Sequence, residues 1–306
     1  MTVLAVDGGQ SAIRLRHSSS DRSVEVEGVS RLEGDLVTGT AEAIVEVWRR
    51  AGSPQVDRAV LGLTTAPPDA ERAEALCALI GEAIGASEVW VADDSVTSHY
   101  GALSGTPGVA LIAGTGVACL ALPRAGQPRL FDGNGYLLGD EGGAFWIGAS
   151  AIRSVLRRHD GVGAATALSH VAAERFGPIP ELREAVYGHV RPVNAVAQFA
   201  RDVLDVAGQG DSTAEAIVQS AADELAATAQ AGVAWVGDEV VDIALGGKLF
   251  ALGSLLRSRF ETTMSSSIRD VRIRSADASG LTGAMNLGIT DGAERYGVLV
   301  HRWRFR

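Results

Sequence analysis

The sequence predicts a mixed α/β protein made of two similar halves, and three observations lead to that class. Three short strand-like runs open the chain, helices and strands then alternate, and a second strand, glycine turn and strand begins near residue 109. The 306 residues, 46% of them apolar, are enough for two domains with large cores. The pattern therefore predicts a mixed sheet in each half.

The first half begins with a predicted β-hairpin. Val3–Val6 and Ala12–Arg16 are strand-like runs on either side of the turn Asp7-Gly8-Gly9, and the run SVEVE predicts a third strand. The helices and strands that follow are predicted, in order, in the segments GTAEAIVEVWRRAG, RAVLGL, DAERAEALCALIGEAIG, EVWVAD and Ser95–Leu103.

The second half repeats the pattern of strand, glycine turn and strand in degenerate form. Val109–Ala113 and Val117–Leu122 are apolar strands around the turn Gly114-Thr115-Gly116. A long helical region from about 145 to 231 follows, broken near FGPIP and VAGQGD. A strand, glycine turn and helix in VVDIALGGKLFALGSLLRSRF, a strand in VRIRS and a helix in GLTGAMNLGI complete it. With no low-complexity linker, we expect a hinge near Gly105–Gly108.

Composition and charge exclude several classes of partner. The formal net charge is −10 and no long run of Lys or Arg occurs, so nucleic acid and anionic membrane are poor partners. Cys77 and Cys119 each lie in an apolar run, which indicates buried free thiols in a reducing compartment. The first residues enter a strand directly and no apolar stretch is long enough for a membrane span, so we expect a cytoplasmic protein.

Three glycine turns, DGGQS, AGTGV and LGGKL, stand at the ends of predicted strands. Backbone N–H groups exposed in such turns form a nest for anions, and residues without a Cβ let phosphate come close. Asp7 adds a carboxylate beside the first turn, which suits a hydrated Mg²⁺ ion that accompanies phosphates. Neither the P-loop nor the dinucleotide-binding glycine pattern is present, so we expect phosphate binding of another kind.

The segment GYLLGDEGGAFWIG places Asp140 and Glu141 among five glycines, and two interpretations of this acidic pair are possible. Asp140 can cap the helix predicted in GAFWIGASAIRSVL, with Glu141 near the positive end of the helix dipole. Alternatively, the glycines admit a ligand to the backbone and the acid pair binds its hydroxyls or a metal. The segment alone does not decide between them.

The motifs VDGGQSAIRL, ADDS, LIAGTGV, GYLLGDEGGAFWIG and LGGKLF, in that order, resemble the N-acetylglucosamine kinase-like branch of the actin, hexokinase and heat-shock chaperone superfamily, which includes the BadF/BadG-type ATPases. The resemblance covers essentially the whole chain. It implies two actin-like (ribonuclease H-like) lobes with mixed sheets flanking a central cleft. The lobes are expected at 1–106 and 107–287, with a C-terminal helix at about 288–306 completing the first lobe.

The resemblance implies an ATP-dependent sugar kinase that phosphorylates a hydroxyl, expected to be the 6-OH, of an amino sugar such as N-acetylglucosamine or glucosamine. Asp94 matches the position of the family's catalytic base, and Asp93 is an alternative for that role. Both residues could instead have a structural role as helix caps. ATP and Mg²⁺ are the implied cofactors, and a homodimer is the implied assembly. The ATP-binding residues are expected to be Gly8, Gly9, Gln10, Ser11, Gly114, Thr115, Gly116, Gly246, Gly247 and Lys248. The sugar-binding residues are expected to be Thr64, Asp94, Thr115, Asp140 and Glu141, with Asp7 as the metal ligand.

A second function class on the same fold is an ATP-driven activator, in which hydrolysis drives electron transfer to a radical dehydratase. Such activators hold an iron–sulfur cluster with cysteines at a dimer interface, a pattern that Cys77 and Cys119 do not form. Two other residues have competing readings. His99 and Trp146 are expected in structural roles, His99 on a helix and Trp146 in a core, rather than in the cleft.

Overall fold

The computed structural model describes residues 1–9, 12–28, 35–64, 66–67, 69–252, 254–268 and 270–305. Internal contacts divide the chain into two compact units. The first consists of Met1–Ala110, Leu120–Arg129 and Ser275–Arg306, and the second of Leu111–Cys119 and Leu130–Arg274.

The first unit contains a six-stranded sheet with helices on both faces. Its strands are β1 (Val3–Gly8), β2 (Ala12–His17), β3 (Ser23–Glu27), β4 (Arg58–Leu63), β5 (Glu88–Asp93) and β11 (Val300–Arg304). Its helices are α1 (Leu36–Arg50), α2 (Ala70–Ile84), α3 (Asp94–Leu103) and α11 (Gly280–Thr290), followed by a 3₁₀ helix at Gly292–Leu299.

The strand order of this sheet is β11-β5-β4-β1-β2-β3, with β1, β4 and β5 parallel and the other three strands antiparallel to their neighbours. Asp7 on β1 pairs in register with Gly62 on β4, and Gly62 pairs with Ala92 on β5. All six residues of β4 are buried, as expected for a parallel strand covered on both faces. The register therefore brings the carboxyl ends of three strands to one edge.

Helices α3 and α11 lie on one face of this sheet and contact each other at very short range. A Cβ on Gly283 would lie 1.8 Å from the backbone oxygen of Thr97, and a Cβ on Gly101 would lie 2.4 Å from that of Ser279. Only glycine permits backbones to approach so closely. This packing explains why the chain returns to the first unit at Ser275 in the contact-based division. The lobe limits expected at 106/107 and near 288 remain predictions.

The second unit contains a five-stranded sheet, in the order β10-β9-β6-β7-β8, and a large set of helices. Its strands are β6 (Gly108–Ala113), β7 (Val117–Leu122), β8 (Arg129–Asp132), β9 (Val241–Gly246) and β10 (Val271–Ser275). The outer ends of β6 and β7, together with the terminal residues Arg129 of β8 and Ser275 of β10, are counted in the first unit. The helices are α4 (Ala144–His159), α5 (Leu168–Phe176), α6 (Leu182–Tyr187), α7 (Pro192–Gly208), α8 (Ser212–Val236), α9 (Lys248–Leu252) and α10 (Ser254–Ser267), with a 3₁₀ helix at Ile179–Glu181.

The mixed α/β organisation and the hairpin-like openings of both halves are confirmed. The C-terminal helix predicted at about 288–306 is wrong. Beyond Thr290 the chain forms the 3₁₀ helix and then β11, which pairs antiparallel with β5. Trp303 and Phe305 pack against the apolar core while Arg304 between them reaches Glu88, and this alternation suits a strand.

Cys77 and Cys119 are both free and buried, as predicted. Across the part of the chain that the structure describes, no helix is long and apolar enough to cross a membrane.

Candidate functional site

In the first unit, the site begins with the turn after β1. The N–H of Gly9 donates a hydrogen bond to the oxygen of Ala12 at 2.9 Å, and the N–H of Thr64 donates to the oxygen of Gly8, also at 2.9 Å. A Cβ on Gly9 would lie 3.5 Å from the Thr64 hydroxyl. The turn is thus joined to the residue that follows β4. Gln10 and Ser11, expected as ATP contacts, lie outside the described residues.

The two adjacent acids after β5 have separate roles in the fold. Asp93 is the N-cap of α3, and its Oδ1 accepts hydrogen bonds from the N–H and the hydroxyl of Ser95. Asp94 occupies the first turn of the helix, and its Oδ2 accepts a 2.5 Å hydrogen bond from the hydroxyl of Thr64. Helix capping therefore accounts for Asp93, and the half-buried carboxyl of Asp94 lies beside Thr64 and the Gly8–Gly9 turn.

Asp7, the expected metal ligand, is largely buried at the end of β1. Burial raises the pKa of its carboxyl, and Arg14, whose Nη1 lies 3.7 Å from Oδ2, opposes that rise. Gly280 begins α11 nearby, and a Cβ there would lie 3.3 Å from Asp7 Oδ1 and 3.0 Å from the Ser98 hydroxyl. The glycine therefore keeps space open beside the carboxyl.

The donor set around Asp7 decides what kind of metal ion would fit. Within the described ranges, no group of three or more His, Cys, Asp or Glu side chains could hold a metal. A Mg²⁺ ion that accompanies nucleotide phosphates takes most of its ligands from water and phosphate, and needs only one or two protein carboxylates. The single carboxylate of Asp7 fits such an ion and does not fit a metal site made of protein ligands alone.

In the second unit, the Gly114-Thr115-Gly116 turn is bonded to the start of α4. The N–H groups of Ala144 and Phe145 donate to the oxygens of Gly114 and Thr115, each at 2.9 Å. The N-cap of α4 is Gly143, and no side chain caps the helix. Of the two interpretations of Asp140, helix capping is wrong, because backbone oxygens of the turn occupy the first N–H groups, and ligand binding stays a prediction.

Asp140 instead connects two loops. Its Oδ1 accepts a hydrogen bond from the N–H of Val117 at 3.2 Å, and its own N–H donates to Oδ1 of Asp132 at 2.9 Å. A Cβ on Gly116 would lie 2.2 Å from Oδ2 of Asp140, so the carboxyl lies directly against the turn. Glu141 is exposed beside it. Asp140 has a positive φ of 57°, a conformation that Asp tolerates better than most residues.

The third glycine turn adjoins the second. Gly247 has a φ of 90°, and a Cβ there would lie 2.1 Å from the backbone oxygen of Ala113, the residue before Gly114. Gly246 ends β9, and Lys248 begins α9 with an exposed side chain. Two of the three expected ATP-binding segments are therefore in backbone contact.

Three further residues lie in or near these segments or were candidates for them: Asp132, His99 and Trp146. Asp132 has a φ of 59° and anchors the acidic loop through the N–H of Asp140, a role that its Asp-Gly-Asn surroundings could have suggested. His99 is fully buried and structural, as expected. Trp146 is only half-buried, at the edge of a shallow depression that Ser150 and Ser154 also line, so its expected place in a core is wrong.

The structure thus brings the predicted site residues together in two sets, one in each unit. The set in the first unit comprises Asp7, Gly8, Gly9, Thr64 and Asp94. The set in the second unit comprises Gly114, Thr115, Gly116, Asp140, Glu141, Gly246, Gly247 and Lys248.

Several known proteins with a similar sequence or fold are named as sugar kinases. An N-acetylmuramic acid/N-acetylglucosamine kinase from Clostridium acetobutylicum is 24% identical over 233 residues, which is 73% of this chain and 76% of that protein. A structure from Chromobacterium violaceum, assigned provisionally as an N-acetylglucosamine kinase, superposes with a TM-score of 0.76 at 24% identity, covering 94% of this chain and 98% of that one.

A ROK family glucokinase from Streptomyces griseus, solved with glucose and AMPPNP, has a TM-score of 0.61 at 16% identity, covering 94% of this chain and 99% of that one. These neighbours confirm the predicted actin-like fold, with two mixed sheets. The model of the BadF/BadG/BcrA/BcrD ATPase family matches residues 5–288, and the chain therefore belongs to that family.

Proposed function

We propose that the protein is an ATP-dependent sugar kinase that transfers the γ-phosphoryl group to a hydroxyl of an amino sugar, N-acetylglucosamine or glucosamine, with the 6-OH as acceptor. The observation that carries the proposal is that the adjacent carboxyl groups of Asp93 and Asp94 have different partners. Asp93 caps α3, so Asp94 does not serve as that cap, and its carboxylate lies beside the glycine turn with its orientation fixed by Thr64. A carboxylate in such a position suits the base of a phosphoryl transfer.

In the proposed reaction, the sugar oxygen bonds to the γ-phosphorus while the bond from that phosphorus to the β-phosphate bridging oxygen breaks. The hydroxyl proton passes to the carboxylate of Asp94, and ADP leaves. Thr64 orients the carboxylate through the hydrogen bond to Oδ2. Asp140 and Glu141 supply acceptors for sugar hydroxyls, as does Thr115 through its exposed hydroxyl.

The glycine turns of the second unit bind the nucleotide in this proposal. The α4 N–H groups fix the carbonyls of Gly114 and Thr115, so the turn is held rigid without help from a ligand. A rigid turn needs little reorganisation when charge develops on the phosphates. Asp7 would hold Mg²⁺, which when bound neutralises phosphate charge during transfer.

The alternative, an ATP-driven activator with an iron–sulfur cluster, receives no support from the cysteines. Cys77 and Cys119 are both buried, and burial raises the pKa of each thiol to about 12. A cluster at a dimer interface needs cysteines that reach the protein surface, and neither of these two does.

The test is ADP release from ATP and Mg²⁺ across a panel of glucosamine, N-acetylglucosamine, N-acetylmuramic acid and neutral hexoses. We expect an amino sugar to stimulate release and the product to carry phosphate on O6, identified by nuclear magnetic resonance. The Asp94→Asn variant is the control for a contaminating kinase. If ATP is hydrolysed at one rate whatever sugar is present, the kinase assignment is wrong.

A further inference from the structure

Lys248 is the single lysine of the chain. The other 26 of its 27 basic residues are arginines. Lys248 stands directly after the Gly246–Gly247 turn, and its side chain is exposed. Lysine carries a compact charge on a flexible four-carbon stem, whereas arginine carries a flat, rigid fork. The position therefore has a chemistry that no other side chain in this protein provides.

The place of this lysine is set by the contact between two turns. Gly247 lies so close to Ala113 that any Cβ would overlap its backbone oxygen. Ala113 is followed at once by Gly114, Thr115 and Gly116, the turn expected to receive phosphates. The stem of Lys248 therefore starts beside that turn, and its ammonium group has a short path to an anion bound there.

The charges near Lys248 indicate what its ammonium group could bind. The glycine-rich segments of the second unit, residues 114–116, 139–143 and 246–248, carry two acids and one base. Asp140 lies against Gly116, and Glu141 is exposed next to it. A polyphosphate at the Gly114–Gly116 turn would meet these carboxylates, and Lys248 is the one side chain of these segments that offsets their repulsion.

We propose that Lys248 binds the β- and γ-phosphates of the nucleotide, rather than its adenosine. The inference rests on ATP binding in the proposed function and is independent of the sugar. Lys248 places a mobile positive charge at the phosphates, and the stacked glycine turns fix where that charge begins. A contact of this kind distinguishes nucleotides by their phosphate number.

The first experiment measures dissociation constants for ADP, AMP and adenosine by calorimetry, with Mg²⁺ and without sugar. Lys248→Met removes the charge and keeps an unbranched stem, and Lys248→Arg keeps the charge. We expect Lys248→Met to weaken ADP binding about tenfold or more and to leave adenosine within twofold. Lys248→Arg should retain most of the ADP affinity. Arg183→Met, on α6, makes the same change of charge at an exposed ion pair and should bind ADP as the wild type does.

Equal loss of adenosine and ADP in Lys248→Met would assign the lysine to the nucleoside and overturn the proposal, as would unchanged ADP affinity. Wild-type protein that binds no ADP would contradict the proposed function itself. A second measurement needs no variant. Acetic anhydride can acetylate only Lys248 among the side-chain amines, so mass spectrometry of the peptide that contains it should show protection by ADP but not by adenosine.

Discussion

The hydroxyl of Thr64 donates a 2.5 Å hydrogen bond to Oδ2 of Asp94, and so joins the residue after β4 to the first residue of α3. A hydrogen bond from a hydroxyl restricts the rotation of the carboxylate that accepts it. Thr64 therefore fixes the orientation of the Asp94 carboxyl.

Thr64→Val should lower kcat about tenfold, because the Asp94 carboxylate loses the hydrogen bond that orients it. Thr64→Ser keeps the hydroxyl and should restore kcat. The measurement is the steady-state rate of the three proteins at saturating ATP and sugar. An unchanged kcat in Thr64→Val would show that the hydrogen bond does not orient the base.

Asp94→Asn should lower kcat on the order of 10²-fold or more and leave sugar affinity within a few-fold, because an amide keeps the size but cannot take a proton. Asp93→Ala is the matched control in the neighbouring position. It removes the cap of α3 and should cost about 1 kcal/mol of stability with little change in kcat. Kinetics and thermal unfolding of both variants test the assignment, and the opposite pattern would give the base role to Asp93.

Asp140 offers a way to separate ligand binding from loop structure. Asp140→Asn keeps an oxygen for the N–H of Val117 and tolerates the positive φ, so stability should change little while sugar affinity falls at least tenfold. Asp140→Ala should in addition lower the free energy of unfolding by about 1–2 kcal/mol. Sugar titration and denaturant unfolding make the comparison. Normal sugar affinity in Asp140→Asn would leave this residue with a structural role alone.

Gly247→Ala tests the contact between the nucleotide turns. The new Cβ would lie 2.1 Å from the oxygen of Ala113, at a φ of 90°. We expect a loss of more than about 2 kcal/mol of stability and a higher KM for ATP. Gly210→Ala is the control, because Gly210 also has a φ of 90° but no atom lies within 4 Å of its Cβ position. It should cost only the backbone strain, about 1 kcal/mol. Equal losses at the two positions would mean that the turns separate freely.

His99 predicts a dependence of stability on pH. Its ring lies between the Tyr296 hydroxyl and the Gly108 oxygen, and burial, with a smaller effect from Arg295, lowers its pKa to about 4. The unfolded chain binds this proton near pH 6.5, so the contribution is complete above 6.5 and is lost as pH falls towards 4. The loss should reach about 3 kcal/mol. His99→Gln should flatten the unfolding free energy across that interval, and an unchanged slope would assign the acid sensitivity elsewhere.

The sequence was most informative where local pattern and structure coincide. The buried parallel strands and the glycine turns follow from apolar runs and from residues that need no Cβ. The segment alone could not decide whether Asp140 caps α4, because capping depends on which backbone oxygens reach the helix, and those of Gly114 and Thr115 are distant in sequence. The bond from Thr64 to Asp94 was missed for the same reason, since it spans 30 residues and depends on strand register.

The position of β11 has a consequence for synthesis on the ribosome. Residues 130–274 of the second unit are synthesised as one continuous segment. By contrast, β5 pairs on one side with β11, which is synthesised more than 200 residues later. During elongation, the edge of β5 has no strand of its own to pair with, and an open edge invites pairing with another chain. We expect the second unit to become protease-resistant first in nascent chains stalled at increasing lengths, with the first unit following only after Arg304 has left the exit tunnel.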